Sequence, residues 1–262
     1  LCFGRANALN VCYVYHRILL CTFTHYTFIK VSVFEPARTP TAVETFLYLQ
    51  RVYPNVNYMD CTSCGNTFSS VGQHYRQSVC TYPTLSAYQK DLVEGVLMGD
   101  GCIHDDGNER LKFIVEMNNQ KFLQWLEIQL KEFTTSIVSV NNKDTYKLTT
   151  IRCPEFKKIY NRWYNNGVKK FPKDLQLTKN KLRMWYVTDG HLRETSGRPN
   201  ITIGCSNEYD RQEYLSELLP FANPSFYSDG LWLSVDETEL AFEYMGHNPV
   251  KGFDRKWVNN SE

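Results

Sequence analysis

The sequence predicts an α+β protein built as two related halves behind a small metal-binding knuckle. Three observations carry that expectation. From residue 84 onward the order helix, Asp-Gly, strand, helix, strand, helix occurs twice. The two Asp-Gly pairs, Asp100-Gly101 and Asp189-Gly190, lie 89 residues apart, which generic alternation of helices and strands would not arrange. Ahead of them Cys61, Cys64, His74 and Cys80 fall in one short stretch with metal-ligand spacing. The organisation read from this is an unassigned segment over residues 1–56, the knuckle over 57–83, a first half over 84–174 and a second half over 175–262.

Each element has a local reason. Ser86 is placed to cap a helix over residues 87–99 whose apolar positions include Leu92, Val96 and Leu97. Residues 111–116 (LKFIVE) read as a strand, and Asn118-Asn119 turns the chain into an amphipathic helix over 120–133 through Phe122, Trp125, Leu126 and Leu130. A strand over 146–153 follows, then Pro154 at the first turn of a helix over 155–164. In the second half, residues 178–188 read as helix, 200–204 as strand, 210–219 as helix, 231–235 as strand and 237–245 as helix.

Composition bounds the function. With 262 residues, 42% of them hydrophobic, the chain can bury a substantial core, which excludes a disordered tail, a disulfide mini-protein and a collagen-like fibre. No run of about 18 uncharged apolar residues occurs, so a membrane partner is not expected. Nine scattered cysteines do not form a secreted framework and suggest an intracellular, reducing compartment. The chain starts at Leu1, so it reads as a fragment, a processed form or a translated upstream frame, and residues 11–34 lack both a signal-peptide pattern and hairpin turn residues.

The net charge of +1 argues at first against a nucleic-acid partner. Its distribution does not. Residues 143–183 carry twelve basic and three acidic side chains, a local +9, between segments of −4 (85–142) and −7 (184–262). Such asymmetry suits a polyanion met by one face, or a solvated basic helix face.

Cys61-x2-Cys64 with His74 and Cys80 downstream supplies three thiolates and one imidazole for tetrahedral Zn²⁺; Gly65 permits the tight turn and Phe68 can plug the small core. With four protein ligands such a site is closed and structural.

Residues 92–101 (LVEGVLMGDG) and 182–190 (LRMWYVTDG), the latter led in by FPKDLQLT at 171–178, resemble the paired signature motifs of LAGLIDADG homing endonucleases in their single-chain, two-motif form. The first matches a G-[LV]-[LI]-x-G-D-G ending and the second an L-x-x-W-[FY]-x-x-D-G variant. The resemblance covers roughly residues 84–257. The bare chemistry agrees with it. Gly95 and Gly99, at i and i+4, let a partner helix come close. Two such helices would bring Asp100 and Asp189 together at their negative C-terminal ends, where the carboxylates repel unless a cation intervenes. Hard oxygen ligands point to Mg²⁺. Met184 and Thr188 replace the two glycines in the second motif, so the helix packing is expected to be asymmetric.

The resemblance implies αββαββα-like halves with saddle-shaped antiparallel sheets lying on double-stranded DNA, and a monomeric, site-specific, phosphodiester-hydrolysing enzyme. It implies Asp100 and Asp189 as catalytic metal-binding carboxylates, with Gly99 and Thr188 as the adjoining metal positions. Gln120 and Lys121 in the first half, and Arg211 in the second, are the expected water-ordering residues. Lys112, Lys147 and Arg152, with Glu116 and Thr149 on the same strands, are expected at the groove. Lys157, Lys158, Arg162, Lys169, Lys170 and Lys173 are expected on phosphates. The runner-up reading is a non-catalytic nucleic-acid binder on the same scaffold, an RNA maturase or a regulator. No intein splicing residues frame the chain.

Overall fold

The computed structural model describes residues 10–14, 17–21, 59–68, 70–77, 80–105, 107, 110–140, 144–195, 198–228 and 230–257. Most of the unassigned N-terminal segment lies outside them. Within it, β1 (Asn10–Val14) pairs antiparallel with β2 (Arg17–Cys21), Val14 opposite Arg17. A hairpin is therefore present where none was expected, because Tyr15 and His16 between the strands are not turn-favouring residues. This segment belongs to a unit spanning Leu1–Thr45, separate from the unit Phe46–Glu262.

The larger unit begins with a miniature element set: β3 (Met59–Asp60) paired with β4 (Thr67–Phe68), then helix α1 (Val71–Arg76). The first half follows as α2 (Ala87–Met98), β5 (Cys102–His104), β6 (Lys112–Met117), α3 (Gln120–Gln129), β7 (Thr134–Ser139), β8 (Tyr146–Thr150) and α4 (Pro154–Trp163). After the small hairpin β9 (Tyr164–Asn165) and β10 (Val168–Lys169), the second half runs α5 (Lys179–Asp189), β11 (Gly190–Thr195), β12 (Arg198–Gly204), a 3₁₀ turn at Ser206–Arg211, α6 (Gln212–Leu218), β13 (Ser225–Tyr227), β14 (Gly230–Leu233) and α7 (Val235–Met245). The two four-stranded antiparallel sheets have the same order, β5-β6-β8-β7 and β11-β12-β14-β13. Among the described residues no helix is long and apolar enough to cross a membrane.

Four of these strands, β5, β7, β11 and β13, were not legible individually. Cys102–His104 and Ser225–Tyr227 are three residues each, while TTSIVS and GHLRET are too polar to show a period-2 apolar pattern. Helix α3 also ends at Gln129, before the turn that feeds β7, rather than running to Phe133.

The helix starts follow their capping chemistry. Ser86 accepts from the Gln89 backbone N–H at 3.2 Å while the Gln89 side chain accepts from the Ser86 N–H, closing a capping box on α2. Thr178 accepts from the Lys181 N–H to start α5.

The inner face of each sheet and the helices form one continuous apolar core. Phe113, Val115 and Leu148 point inward on the first sheet, and Ile201, Ile203, Leu231 and Leu233 on the second. Phe171, in the connection between halves, meets Trp163 (5.8 Å between ring centroids) and Trp185 (5.4 Å), both edge-on, and so joins the two cores.

Helices α2 and α5 pack directly on each other. A Cβ placed on Gly95 would stand 2.7 Å from both the Lys181 carbonyl oxygen and Met184 Cβ, and one on Gly99 would overlap the Thr188 side chain. The glycines of α2 thus receive the bulkier residues of α5, and the asymmetry expected from Met184 and Thr188 is the means of close approach. Beside this contact Glu94, 1% exposed, pairs with Arg162 from α4 and with Lys181 Nζ at 3.0 Å; Lys181 also reaches Asp91 at 3.3 Å. Arg162 continues to Asp174 at 3.1 Å. Every buried charge in this set therefore has an opposite.

Gly95→Ala is expected to lower stability by about 1–3 kcal/mol, because the neighbour in the way is backbone and the two helices must separate. Urea denaturation checks this; an unchanged midpoint would contradict the packing described.

Candidate active site

The Asp-Gly pairs place two carboxylates at the adjoining C-terminal ends of α2 and α5. The Gly99 position that would carry a Cβ lies 3.2 Å from Asp189 Cβ, which fixes how near the second carboxylate comes to the first helix end. Burial pushes both carboxyl groups above the ordinary aspartate range. For Asp189 the neighbouring Asp100 adds to the shift, and for both Asp100 and Asp189 the ammonium groups of Lys169 and Lys256 oppose it. Neither carboxylate accepts a hydrogen bond from the described residues.

The two lysines occupy matching places. Lys169 Nζ donates to the carbonyls of Gly99 (2.6 Å) and Gly101 (2.9 Å), at the end of α2. Lys256 Nζ donates to Val187 (2.8 Å) and Gly190 (2.5 Å), at the end of α5. Each caps a helix C-terminus with positive charge and satisfies carbonyls that have no intrahelical partner. Burial lowers both lysine pKa values, that of Lys256 to about 8, with Arg255 contributing to the latter. Lys169 was expected on a phosphate and Lys256 was not singled out at all. The signal was available, since the two lysines follow Asp100 and Asp189 at 69 and 67 residues.

Several expected site residues stand elsewhere. Gln120 and Lys121 open α3 behind its cap Asn119, exposed and without a contact to either carboxylate among the described residues. Arg211 donates to Glu208 (2.6 Å) and to the Phe171 carbonyl (2.8 Å) and stacks on Tyr214, a packing role inside the second half. The Thr188 hydroxyl donates back to Met184 (2.9 Å), and the Gly99 carbonyl accepts from Lys169 (2.6 Å). A cleft of about 50 Å³ beside Asp189, bordered by Gly99, Lys169, Ser206 and Asn207, leaves room for small ligands there.

Strand register shows what takes the place expected for Gln120 and Lys121. Cys102 opposes Ile114, and His191 opposes Thr202; these are the first residues past each Asp-Gly. Two positions further along the second strands stand Glu116 and Gly204. A Cβ on Gly204 would lie 2.9 Å from Asp189 Cγ, so that strand position abuts the carboxylate. The first half carries the charged pair Glu116–Lys147 (3.3 Å) where the second half carries Gly204 opposite Gly230. The two sites therefore differ chemically.

The solvent faces of the sheets carry Lys112, Glu116, Lys147 and Thr149 on the first half and His191, Arg193, Thr202 and Trp232 on the second, one strand parity throughout. Arg152 follows β8 and is half-buried. Within the basic segment, Arg162 belongs to the buried ionic set, Lys170 pairs with Asp210 (3.0 Å) and Lys158 with Glu155 (2.5 Å). Lys157 lies over the Tyr160 ring, and Lys173 is exposed.

A second cluster lies at the knuckle. One ligand atom from each of Cys61, Cys64, His74 and Cys80 lies within 4.8 Å of the others, a set that could hold a metal ion. Its three cysteines are free thiols, as are Cys102, Cys153 and Cys205.

The fold and the paired carboxylates define a class, and sequence comparison agrees: the family model for LAGLIDADG DNA endonucleases matches residues 90–220. The chain belongs to the LAGLIDADG family. It is 30% identical over 161 residues to the uncharacterized protein MJ1098 of Methanocaldococcus jannaschii, covering 55% of this chain and 62% of that one, so it spans about three-fifths of the relative's length. Among solved structures it is similar to the homing endonuclease I-WcaI bound to its DNA recognition sequence, with a TM-score of 0.62 at 17% identity over 72% of this chain and 92% of that one. The N-terminal LAGLIDADG domain of DUF199/WhiA is a weaker match, with a TM-score of 0.41 at 14% identity over 65% and 88% of the two chains.

Because folded carboxyl pKa values raised above their unfolded values favour the protonated form, the charged pair destabilises the metal-free fold at neutral pH and ceases to do so as pH falls through the carboxylate range. Metal-free Asp189→Asn is therefore expected to melt above the parent at pH 7, the difference closing at acid pH. Thermal melts across pH check this; a lower melting temperature at pH 7 would contradict it.

Proposed function

We propose that this chain is a site-specific DNA endonuclease of the homing type, cutting both strands of duplex DNA as a single chain in a reducing intracellular compartment. The observation that carries the reading is the retention of both carboxylates, open to solvent and mutually repelling, at adjoining helix ends flanked by Lys169 and Lys256. Two solvent-accessible carboxylates that accept no hydrogen bond from the described residues fit a hard divalent cation, and Asp100 and Asp189 would hold it. Mg²⁺ bound there supplies an activated water and stabilises the leaving oxygen of a phosphodiester.

The protein's own groups do the rest. Lys169 and Lys256 keep positive charge beside the carboxylates, where a scissile phosphate gains negative charge. The sheet faces bearing Lys112, Lys147, Arg193 and Arg198 supply donors for base edges and phosphates. Lys157 and Lys173 remain as phosphate contacts from the basic segment, whereas Arg162 and Lys170 serve the fold. The thiolate-rich cluster at Cys61–Cys80 holds Zn²⁺ outside the reaction.

Asp100→Asn combined with Asp189→Asn is expected to abolish Mg²⁺-dependent cleavage of a selected target duplex while leaving binding within about threefold, a change of under 1 kcal/mol. Cleavage assays paired with gel-shift titration check this. Intact cleavage would remove the endonuclease reading, and a wild-type protein that binds duplex without cutting would favour the non-catalytic binder. The unlike surroundings of the two carboxylates add a second expectation: the two strands are nicked at different rates, and Glu116→Gly narrows the difference. End-labelled substrates report it, and equal rates in the parent would count against it.

A further inference from the structure

We infer that the metal at Cys61, Cys64, His74 and Cys80 is a staple that fastens the knuckle onto the first half, rather than a contact to DNA. The inference rests on the reading that this cluster binds zinc.

The cluster has the shape such a role needs. Its four ligand atoms lie within 4.8 Å of one another, with Cys64 Sγ 3.7 Å from His74 Nε2, spacings that fit a closed tetrahedral site of three sulfurs and one nitrogen. Two ligands come from the turn after β3, one from α1 and one from the chain leaving it. Phe68 stacks on the His74 ring at 4.0 Å and fixes its plane. Around this the knuckle has little else: two paired strands of two residues each, a six-residue helix, and Cys61, Val71 and Tyr75 as its fully buried apolar residues. A segment this small does not bury enough to fold unaided, so metal binding and folding are one event.

That event extends into the first half through named contacts. Tyr75 packs against Tyr82 with the rings tilted by 33° and their centroids 5.0 Å apart. Arg110 lies over the Tyr82 ring at 5.5 Å and donates to its hydroxyl at 3.2 Å. The neighbouring Pro83 carbonyl accepts from Cys153 Sγ at 3.6 Å, and Cys153 bridges to Leu111, closing the end of the β6–β8 ladder. Gly72 lies over Ile151, the residue that follows β8. A path of packed groups therefore runs from the metal ligands to the sheet. The second half has no counterpart among the described residues.

Charge argues against a phosphate clamp. Residues 59–83 hold one arginine, Arg76, and one acid, Asp60. Three thiolates and a neutral imidazole around Zn²⁺ carry a net −1, which repels a polyanion.

The test uses the full chain and zinc itself. Elemental analysis is expected to find one zinc per chain, and Co²⁺ substitution to give thiolate-to-metal charge-transfer absorption. On chelation, or in Cys64→Ser, amides of Val71–Arg76 and Tyr146–Thr150 are expected to exchange at least about tenfold faster, while those of Arg198–Gly204 and Gly230–Leu233 keep their protection. His74→Cys in the otherwise unchanged chain, which keeps four ligands, is expected to retain both zinc and protection. Tyr82→Ala is expected to keep zinc and the protection of Val71–Arg76 but lose that of Tyr146–Thr150, which a metal without coupling would not produce. Absence of bound metal would overturn the zinc reading and the staple with it. Bound zinc whose removal leaves Tyr146–Thr150 unchanged would overturn the staple alone. So would a loss of duplex affinity on chelation with exchange unaltered.

Discussion

The close crossing of α2 and α5 is the contact on which the rest depends. Removing two side chains, at Gly95 and Gly99, lets the helices approach until backbone meets side chain, and that approach sets both helix ends at one point. Everything chemical follows from the ends being there. Each helix terminus carries negative partial charge, each carries an aspartate, and partial desolvation raises the pKa of both carboxyl groups. The protein answers with one lysine per terminus, which balances the two aspartates formally and leaves the partial charges of the helix ends. Stability and chemistry are thus opposed at this spot, as expected where a fold holds like charges together for use.

The two halves are alike in topology and unlike in surface. Strand order, helix placement and the capping lysine repeat, while the residues at one matching pair of strand positions do not: Glu116 and Lys147 in one half, Gly204 and Gly230 in the other. Pseudo-symmetry here belongs to the backbone and core, where packing constrains choice. The open faces, free of that constraint, have diverged.

Much of this was legible in the sequence because it rests on local rules. Apolar periodicity, caps and the recurrence of Asp-Gly located the core helices and the carboxylates, and cysteine spacing located the knuckle. What was not legible depended on pairing. Gln120 and Lys121 looked close to Asp100 along the chain, but antiparallel register carries Glu116 to that place and sends the next turn away into α3. The basic segment read as a face for a polyanion or for solvent, yet Arg162 and Lys169 point inward because each answers a negative group supplied by another element. Lys256 sits in a three-residue 3₁₀ turn, Asp254–Lys256, with no motif of its own, and only counting from both aspartates finds it.

The ionic set beside the helix crossing also governs which surfaces can meet. Its acids, Asp91 and Glu94, lie on α2, and Lys181, which answers both, lies on α5. Aligning Asp100 with Asp189 puts Leu92 at the position of Lys181. Two copies of the first half joined through their own α2 helices would lose that base, leaving Arg162 alone to answer Glu94, and two copies of the second half would crowd their lysines. Self-association of like halves is disfavoured by several kcal/mol wherever such charges are left buried and unanswered. Within one chain Asp91, Glu94, Arg162 and Lys181 each find an opposite.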